Sequence, residues 1–336
     1  MSASAYRLAP QTPTRRECDV EAALTVCCPA CHEALGILTP APAFSPRHVL
    51  ACSGCGFHLS SEEGIWRALP RERLNYYERF VREYESVRAF EGRGSAASDF
   101  YLQLPFADTT GHNTWQWKVR ARSYQHLVQD ILVEPRSVAQ RILDVGAGNG
   151  WLSHRLALLG HQPVAVDLLL NRQDGLGAAS HYLVDLPELF PRFQAEMDHL
   201  PFADSQFDCA IFNASFHFSE DYLATFGEAL RCVRSGGLIV ILDSPWYSEP
   251  QSGLQMVLER RRAFQQQLGF PSDALTSRNF LTDDDLRALE ETYSIRWRIR
   301  HPWYGLRMAA RPWLAELKRQ REPARFRIYI AETPVP

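Results

Sequence analysis

This 336-residue chain has no apolar run near the roughly 20 residues that a membrane-spanning helix requires. Its longest strand-like run, residues 238–242, has the length of a core strand. The first 17 residues, MSASAYRLAPQTPTRRE, contain no apolar segment of the secretory type. A polar, disordered tail over residues 1–25 and cytoplasmic residence are therefore expected. Charge of one sign is also absent: 36 Lys and Arg face 39 Asp and Glu, a net of −3 with a pI near 6.4. That balance removes any global attraction to nucleic acid; DNA is not an expected partner, and a basic patch can act only locally. In a reducing compartment, the eight cysteines need a purpose other than disulfides.

Four of them stand in two pairs, Cys28-Pro-Ala-Cys31 and Cys52-Ser-Gly-Cys55, with twenty residues between the pairs. Each C-x-x-C turn folds back on itself, so both of its sulfurs can face one ion, and two turns complete a tetrahedral zinc site. A segment of about fifty residues has too little core to fold alone, so the metal would supply much of its stability. A redox dithiol, the competing reading, needs only one such turn. Cys27 falls one residue out of the pattern and could replace Cys28. Gly36 and Pro46 mark turns between the knuckles.

Residues 141–156, RILDVGAGNGWLSHRL, are the organising stretch. Ile142, Leu143 and Val145 suit a buried parallel strand, and Leu152, Leu156 and Leu159 recur at helical spacing until Gly160. Between them Gly146, Ala147, Gly148, Asn149 and Gly150 leave the backbone open to a ligand. The third glycine comes four positions after the first, where a nicotinamide fingerprint needs five. A second apolar run, residues 163–166, ends in Asp167, placed to accept from both hydroxyls of a ribose or else to cap a helix. Residues 168–177, broken by Asn171, Gly175 and Gly177, should form a distorted loop. Residues 194–212 then read QAEMDHLPFADSQFDCAIF, and NASFHF follows at the end of the strand over 207–212. In open α/β sheets ligands bind outside the carboxyl ends of strands, so His217 is a candidate general base.

The glycine turn preceded by Asp144 resembles motif I of class I S-adenosylmethionine (SAM) methyltransferases. The D-x-LPF-x-D-x-x-FD run beginning at Asp198, and the GG turn at Gly236 and Gly237, resemble further motifs of that family. The resemblance spans residues 141–250. It implies a cofactor site made of Asp144, Gly146, Ala147, Gly148, Asn149, Gly150, Asp167, Leu168, Met197, Asp198, His199 and Asn213. In it Asp198 would accept from the adenine amino group, with Met197 or His199 alongside the ring. Residues 61–70, SEEGIWRALP, are similar to the tail of the zinc ribbons of ribosomal-RNA guanine-N1 methyltransferases, departing from it at Trp66, where a proline is usual.

Residues 71–90 carry apolar and aromatic positions at spacings of three and four, an amphipathic helix. Gly92, Gly94, Ser95 and Ala96 read as a hinge. Tyr101, Asp108, His112 and Trp115 in the following polar and aromatic stretch, with Trp246 further on, are candidate acceptor contacts; the alternative is that the aromatics only pack. Residues 118–133 form the helix feeding the first core strand, ended by Pro135. Residues 293–300 and 325–331 alternate and should pair antiparallel at the sheet edge. Between them, Trp303, Tyr304 and Trp313 interleave with Arg311, Lys318, Arg319 and Arg321. That segment either grips RNA or is a solvated helix face with its tryptophans in the core.

The expected fold is α/β: a Rossmann-like class I methyltransferase sheet, mostly parallel with an antiparallel last strand, plus a small N-terminal zinc ribbon and a helical lid. The divisions are 1–25 tail, 26–70 ribbon, 71–135 helical bridge and 136–336 methyltransferase domain. The expected function is methyl transfer from SAM, with structural Zn2+, to a small metabolite or lipid-like acceptor. An RNA base is the alternative acceptor, and a non-catalytic SAM-binding or zinc-ribbon interaction module the alternative class. Oligomeric state is open.

Overall fold

The computed structural model describes residues 23–38, 48–132 and 139–335. The expected tail up to residue 22, Pro46 and Pro135 lie outside the described residues.

In chain order, β1 (Leu24–Cys27) and β2 (Ala34–Leu38) form a hairpin, followed by β3 (Val49–Ala51), β4 (His58–Glu62) and β5 (Ile65–Arg67). The bridge is α1 (Arg71–Phe90), α2 (Ser98–Gln103) and α3 (Thr114–His126), the last running into a π-helical turn at Leu127–Ile131. Then come β6 (Arg141–Val145), α4 (Trp151–Leu158), β7 (Gln162–Asp167) and β8 (Arg192–Gln194). The second half holds β9 (Phe207–Asn213), α5 (Tyr222–Cys232), β10 (Val233–Leu242), α6 (Pro250–Leu268) and α7 (Asp283–Tyr293). It ends with β11 (Trp297–Arg300), α8 (Leu306–Leu317) and β12 (Ile328–Glu332).

All strands but β1 and β2 make one ten-stranded sheet, ordered β11-β12-β10-β9-β6-β7-β8-β5-β4-β3. The run from β10 to β5 is parallel. β12 lies antiparallel between β10 and β11, as the alternating segments imply. Alternation decides which face each strand residue covers. Leu143, Val145, Val164 and Val166 join one buried cluster, and Ile142, Ala165, Ile211 and Val240 join the cluster on the other face. With both faces covered, the central strands β6, β7, β9 and β10 are mostly apolar. From β6 the chain lays β7 and β8 to one side and β9 and β10 to the other. The gap beyond the carboxyl ends of β6 and β9 is thus a topological switch point, where an open α/β sheet takes a ligand.

The sheet does not stop at the boundary expected at residue 70. β5 pairs in parallel with β8, Trp66 beside Phe193, and carries β4 and β3 with it. Their rings lie 6.3 Å apart and nearly parallel. A proline at position 66, usual in the similar ribbons, could not donate to this ladder. β1 is tied to the core separately: the amide of Cys27 donates to Pro201 O at 3.1 Å and that of Thr25 to Gln206 Oε1 at 3.1 Å.

Several local expectations change. The feeding helix begins at Thr114, four residues early, which places Trp115 on it. Residues 168–175 are irregular as expected, and a 3-10 stretch, Leu176–Val184, replaces the regular second helix. The hinge is packed shut, with Gly92 against the His112 ring and Gly94 against Gln173. Trp303 and Trp313 are 58% and 64% exposed, and α8 has no buried residue, so those tryptophans are not core. Among the described residues no helix is long and apolar enough to cross a membrane.

Candidate functional site

At the switch point the loop after β6 is held open by its own backbone. Gly146, Gly148 and Gly150 have φ of 73°, 56° and 75°, the left-handed region in which a side chain costs about 1–2 kcal/mol. The amides of Gly146 and Ala147 both donate to Val166 O, at 2.8 and 3.0 Å, which ties the turn to β7. Gly148 donates to Asp167 Oδ2 at 2.7 Å, and the amide of Leu169 donates to Oδ1 at 2.8 Å. Asp167 thus both ends β7 and braces the loop, and each carboxylate oxygen keeps a lone pair for a ligand. Its pKa is pushed up to about 6 by burial, against the pull of these two amides. Asp144, beneath the loop, accepts from Ser153 Oγ at 2.7 Å and is pushed by burial to about 7.

A cavity of about 330 Å³ opens beyond these strand ends. Asp144, Gly146, Ala147, Gly148, Asn149, Asp167, Leu168, Met197, Asp198 and Asn213 line it, as does His217. Gly150 and His199 do not. Gly150 turns the chain into α4, its missing side chain leaving room for Phe190, and the His199 imidazole is exposed with Nδ1 3.3 Å from Asp198 Oδ1. That contact lacks hydrogen-bond geometry, and Asp198 Oδ1 and Asn213 Oδ1 are both buried without a hydrogen bond. Such atoms cost stability until a donor arrives, so each marks a place for a ligand N–H or O–H. Strain gathers here as well: Ala214, Asp243, Ser272 and Asn279 line the cavity with positive φ.

The five proposed acceptor contacts lie away from the cavity. Tyr101 is fully buried, its hydroxyl donating to Ser95 O and Gln173 O and its ring stacked on His181. Asp108 organises its own loop through Thr110 and the amide of Asn113. His112 packs on Gly92, and Trp115 carries Arg307 over its ring at 5.1 Å. Trp246 is buried, donating from Nε1 to Asp283 Oδ1 and packed against Arg327. These aromatics pack, which is the alternative their sequence left open.

The far wall comes instead from helices whose pattern read only as amphipathic. α1 contributes Phe80, Tyr84 and Arg88, α3 contributes Arg120, and α6 contributes Arg260 and Phe264. α1 is latched to the strand ends: Arg73 donates to both oxygens of Glu196, the shortest contact 2.6 Å, and Tyr77 donates to Oε2 at 3.0 Å. Further along, Arg88 pairs with Asp174 beside the glycine loop. His217 is buried here with Nδ1 3.2 Å from Ser244 Oγ. Burial, then the charges of Arg260 and Arg120, hold its pKa down at about 3. This favours the neutral imidazole and makes it a weaker base than a free histidine.

The cysteine pairs come together. The Sγ atoms of Cys28, Cys31, Cys52 and Cys55 all lie within 4.8 Å of one another, with Cys28–Cys55 and Cys31–Cys52 at 3.5 Å. Four sulfurs around a tetrahedral zinc are ~3.8 Å apart, so the donor set fits that ion. Cys27 stays outside the cluster, buried near Arg231.

Residues 143–241 match the family model described as a methyltransferase domain. The chain is 29% identical over 102 residues to a malonyl-[acyl-carrier protein] O-methyltransferase of Buchnera aphidicola, covering 30% of this chain and 37% of that one. It is 33% identical over 106 residues to an uncharacterised protein of Mycobacterium tuberculosis, covering 31% and 36%. The chain thus spans about a third of the length of the curated relatives it matches. Among solved structures it is similar to a SAM-dependent methyltransferase of Methanosarcina mazei, 17% identical over 62% of this chain and 98% of that one, with a TM-score of 0.40.

Proposed function

We propose that this chain transfers a methyl group from S-adenosylmethionine to a small-molecule acceptor. One convergence carries the reading. The glycine loop, Asp167 and the unpaired Asp198 Oδ1 face one cavity at the switch point, inside the segment that matches a methyltransferase domain. Asp167 would accept from the ribose hydroxyls, Asp198 from the adenine amino group and Asn213 from the ammonium of the methionine moiety. When bound, the sulfonium would supply an electrophilic methyl group: an acceptor lone pair would attack the methyl carbon in line as the sulfur–carbon bond breaks, with S-adenosylhomocysteine as the leaving group. The chain's own part is alignment and exclusion of water, which α1 and α6 perform by roofing the cavity.

A small acceptor is favoured because that roof leaves interior space for a metabolite, while Trp303 and Trp313 lie outside the cavity lining. The activity named for the Buchnera relative, on a carrier-bound acyl group, supports the same reading. Structural zinc held by Cys28, Cys31, Cys52 and Cys55 belongs to the proposal, on the sulfur geometry.

The test incubates the protein with methyl-tritiated SAM and a cell extract, then fractionates the label. Label in the low-molecular-mass or organic fraction supports the reading, and label lost on ribonuclease treatment replaces it with an RNA acceptor. No transfer despite S-adenosylhomocysteine binding leaves a SAM-binding module. Thermal protection by NADH but not by S-adenosylhomocysteine refutes the cofactor assignment.

A further inference from the structure

The charges around the cavity do not all have partners, and the exceptions share one region. Of the four arginines lining it, Arg88 is paired with Asp174 and Arg93 with Glu91. Arg120 and Arg260 are not paired. Arg120 lies over the Trp117 ring, Cζ 4.7 Å from its centroid, and among the described residues makes no hydrogen bond and no ion pair. Arg260 donates to Asn279 Oδ1 at 2.5 Å, a neutral acceptor, and rests over Phe264 at 6.0 Å. Both act electrostatically on His217, whose imidazole is neutral and cannot offset them.

The remaining carboxylates of that half are committed elsewhere. Glu220 accepts from Tyr76 and from Thr276, and Asp243 Oδ1 accepts from Ser123; Asp243 Oδ2 makes no hydrogen bond and acts on Arg120 only electrostatically, from beyond ion-pair distance. Keeping two guanidiniums in a confined space without a contacting anion is costly, and a bound anion removes that cost. Guanidinium is also the side chain whose donors match a carboxylate or phosphate two at a time. The surrounding surface is aromatic and aliphatic, from Phe80, Tyr84, Phe218, Phe264 and Leu275. The region therefore suits an acid with an apolar body.

We infer that the methyl acceptor is a small organic acid whose anionic group is held by Arg120 and Arg260 beside His217. The inference rests on the methyltransferase reading and adds to it a substrate class and two specificity residues. The same chemistry has a second source, the cofactor's own α-carboxylate, and the experiment separates the two.

Low-molecular-mass extract is split on an anion exchanger at pH 8 into a retained acidic pool and a neutral and cationic flow-through. Each pool is offered with methyl-tritiated SAM to the wild type and to Arg120→Met and Arg260→Met. Label is expected from the retained pool, falling 100-fold or more in each variant. Calorimetric binding of S-adenosylhomocysteine is expected to stay within about threefold of wild type in both, which also shows that they fold. Label from the flow-through alone, or label from the retained pool that neither variant reduces, overturns the inference while leaving methyl transfer intact. If a variant loses affinity for S-adenosylhomocysteine more than 30-fold but binds 5′-methylthioadenosine, which lacks the amino-acid moiety, as wild type does, its arginine holds the cofactor carboxylate. The assignment of that arginine to the acceptor is then wrong. A wild type that does not bind S-adenosylhomocysteine refutes the methyltransferase reading itself, a separate result.

Discussion

Two glycines in one loop should respond differently to the same methyl group. Gly146 and Gly148 both have positive φ, so an alanine at either costs about 1–2 kcal/mol in backbone strain. At Gly146 a Cβ would also lie 2.3 Å from Ser215 Cβ and 2.9 Å from its Oγ. Ser215 cannot swing away freely, because its hydroxyl donates to Val145 O at 2.5 Å and losing that bond costs about 1 kcal/mol more. Overpacking adds about 1–3 kcal/mol, so Gly146→Ala should cost roughly 3–6 kcal/mol in all. At Gly148 the nearest atom is Asp174 O at 3.5 Å, an ordinary contact, which leaves only the strain. At ~2–4 °C per kcal/mol, Gly148→Ala should melt about 2–8 °C below wild type and Gly146→Ala about 6–24 °C below it. Gly148 lines the cavity, so its new methyl takes space from the cofactor, and S-adenosylhomocysteine affinity should fall tenfold or more, about 1.4 kcal/mol. Scanning calorimetry and isothermal titration read both quantities. Equal melting shifts would refute the packing argument, and a Gly148→Ala protein that binds the ligand like wild type would refute the placement of the cofactor.

Asp167 must be ionised to accept from a ribose, and burial holds its pKa at about 6. Because a raised carboxyl pKa means the accepting form is lost as pH falls through that value, S-adenosylhomocysteine affinity should be level above about 6.5 and weaken towards tenfold per unit below 6. Asp167→Asn should bind weakly and lose this pH dependence; unchanged affinity at pH 5 would exclude the ribose role. The isolated protein should contain one zinc per chain by mass spectrometry of metals, kept in Cys27→Ala and lost in Cys52→Ala. Chelation should lower the melting temperature and also weaken S-adenosylhomocysteine binding; a chelated protein that binds as before would show the ribbon to be energetically separate from the site. Trp115→Ala and His112→Ala should leave the SAM KM and kcat within about twofold, since neither residue lines the cavity.

What could be read in the sequence was local. The glycine turn and Asp167 each stand at the end of a short apolar strand, and a parallel sheet brings strand ends together whatever lies between them; Asp198 follows the polar Arg192–Gln194 strand and was legible from its D-x-LPF run instead. The cysteine knuckles were legible for the same reason, since their spacing contains most of their geometry. The far wall was not. An apolar stripe such as Tyr77, Phe80 and Tyr84 has one periodicity whether it faces a packed core or a cavity, and only the tertiary arrangement chooses between them. The acceptor candidates failed on a related ambiguity: Tyr101, Trp115 and Trp246 are large amphipathic rings, and within the protein the Tyr101 hydroxyl and Trp246 Nε1 found acceptors while the Trp115 ring took Arg307. The pairing of β5 with β8 was out of reach too, because residues 65–67 and 192–194 share no local signal that they are neighbours.

That pairing joins the cysteine-bearing N-terminal segment to this core. β8 is three residues long, and the residues after it, Ala195, Glu196, Met197 and Asp198, line the cavity where the proposed adenine would sit. A strand so short at a sheet edge would hold them poorly. β5 covers that edge, with the amide of Ala68 extending the ladder to Gln194 O at 2.9 Å. Three residues later α1 begins, and its first turn sends Arg73 back to Glu196. The side chain of Glu196 is almost wholly buried, so the guanidinium and the Tyr77 hydroxyl offset a charge that would otherwise destabilise the turn it sits in. The same helix then reaches the glycine loop at Asp174 through Arg88, 15 residues on. One continuous segment thus runs from the second cysteine knuckle to both ends of the proposed cofactor. The four cysteines lie outside the cavity lining, and Cys52 and Cys55 stand between β3 and β4, whose ladder continues through β5 to β8. A zinc ion held there, as proposed, would brace the wall against which the proposed cofactor is aligned.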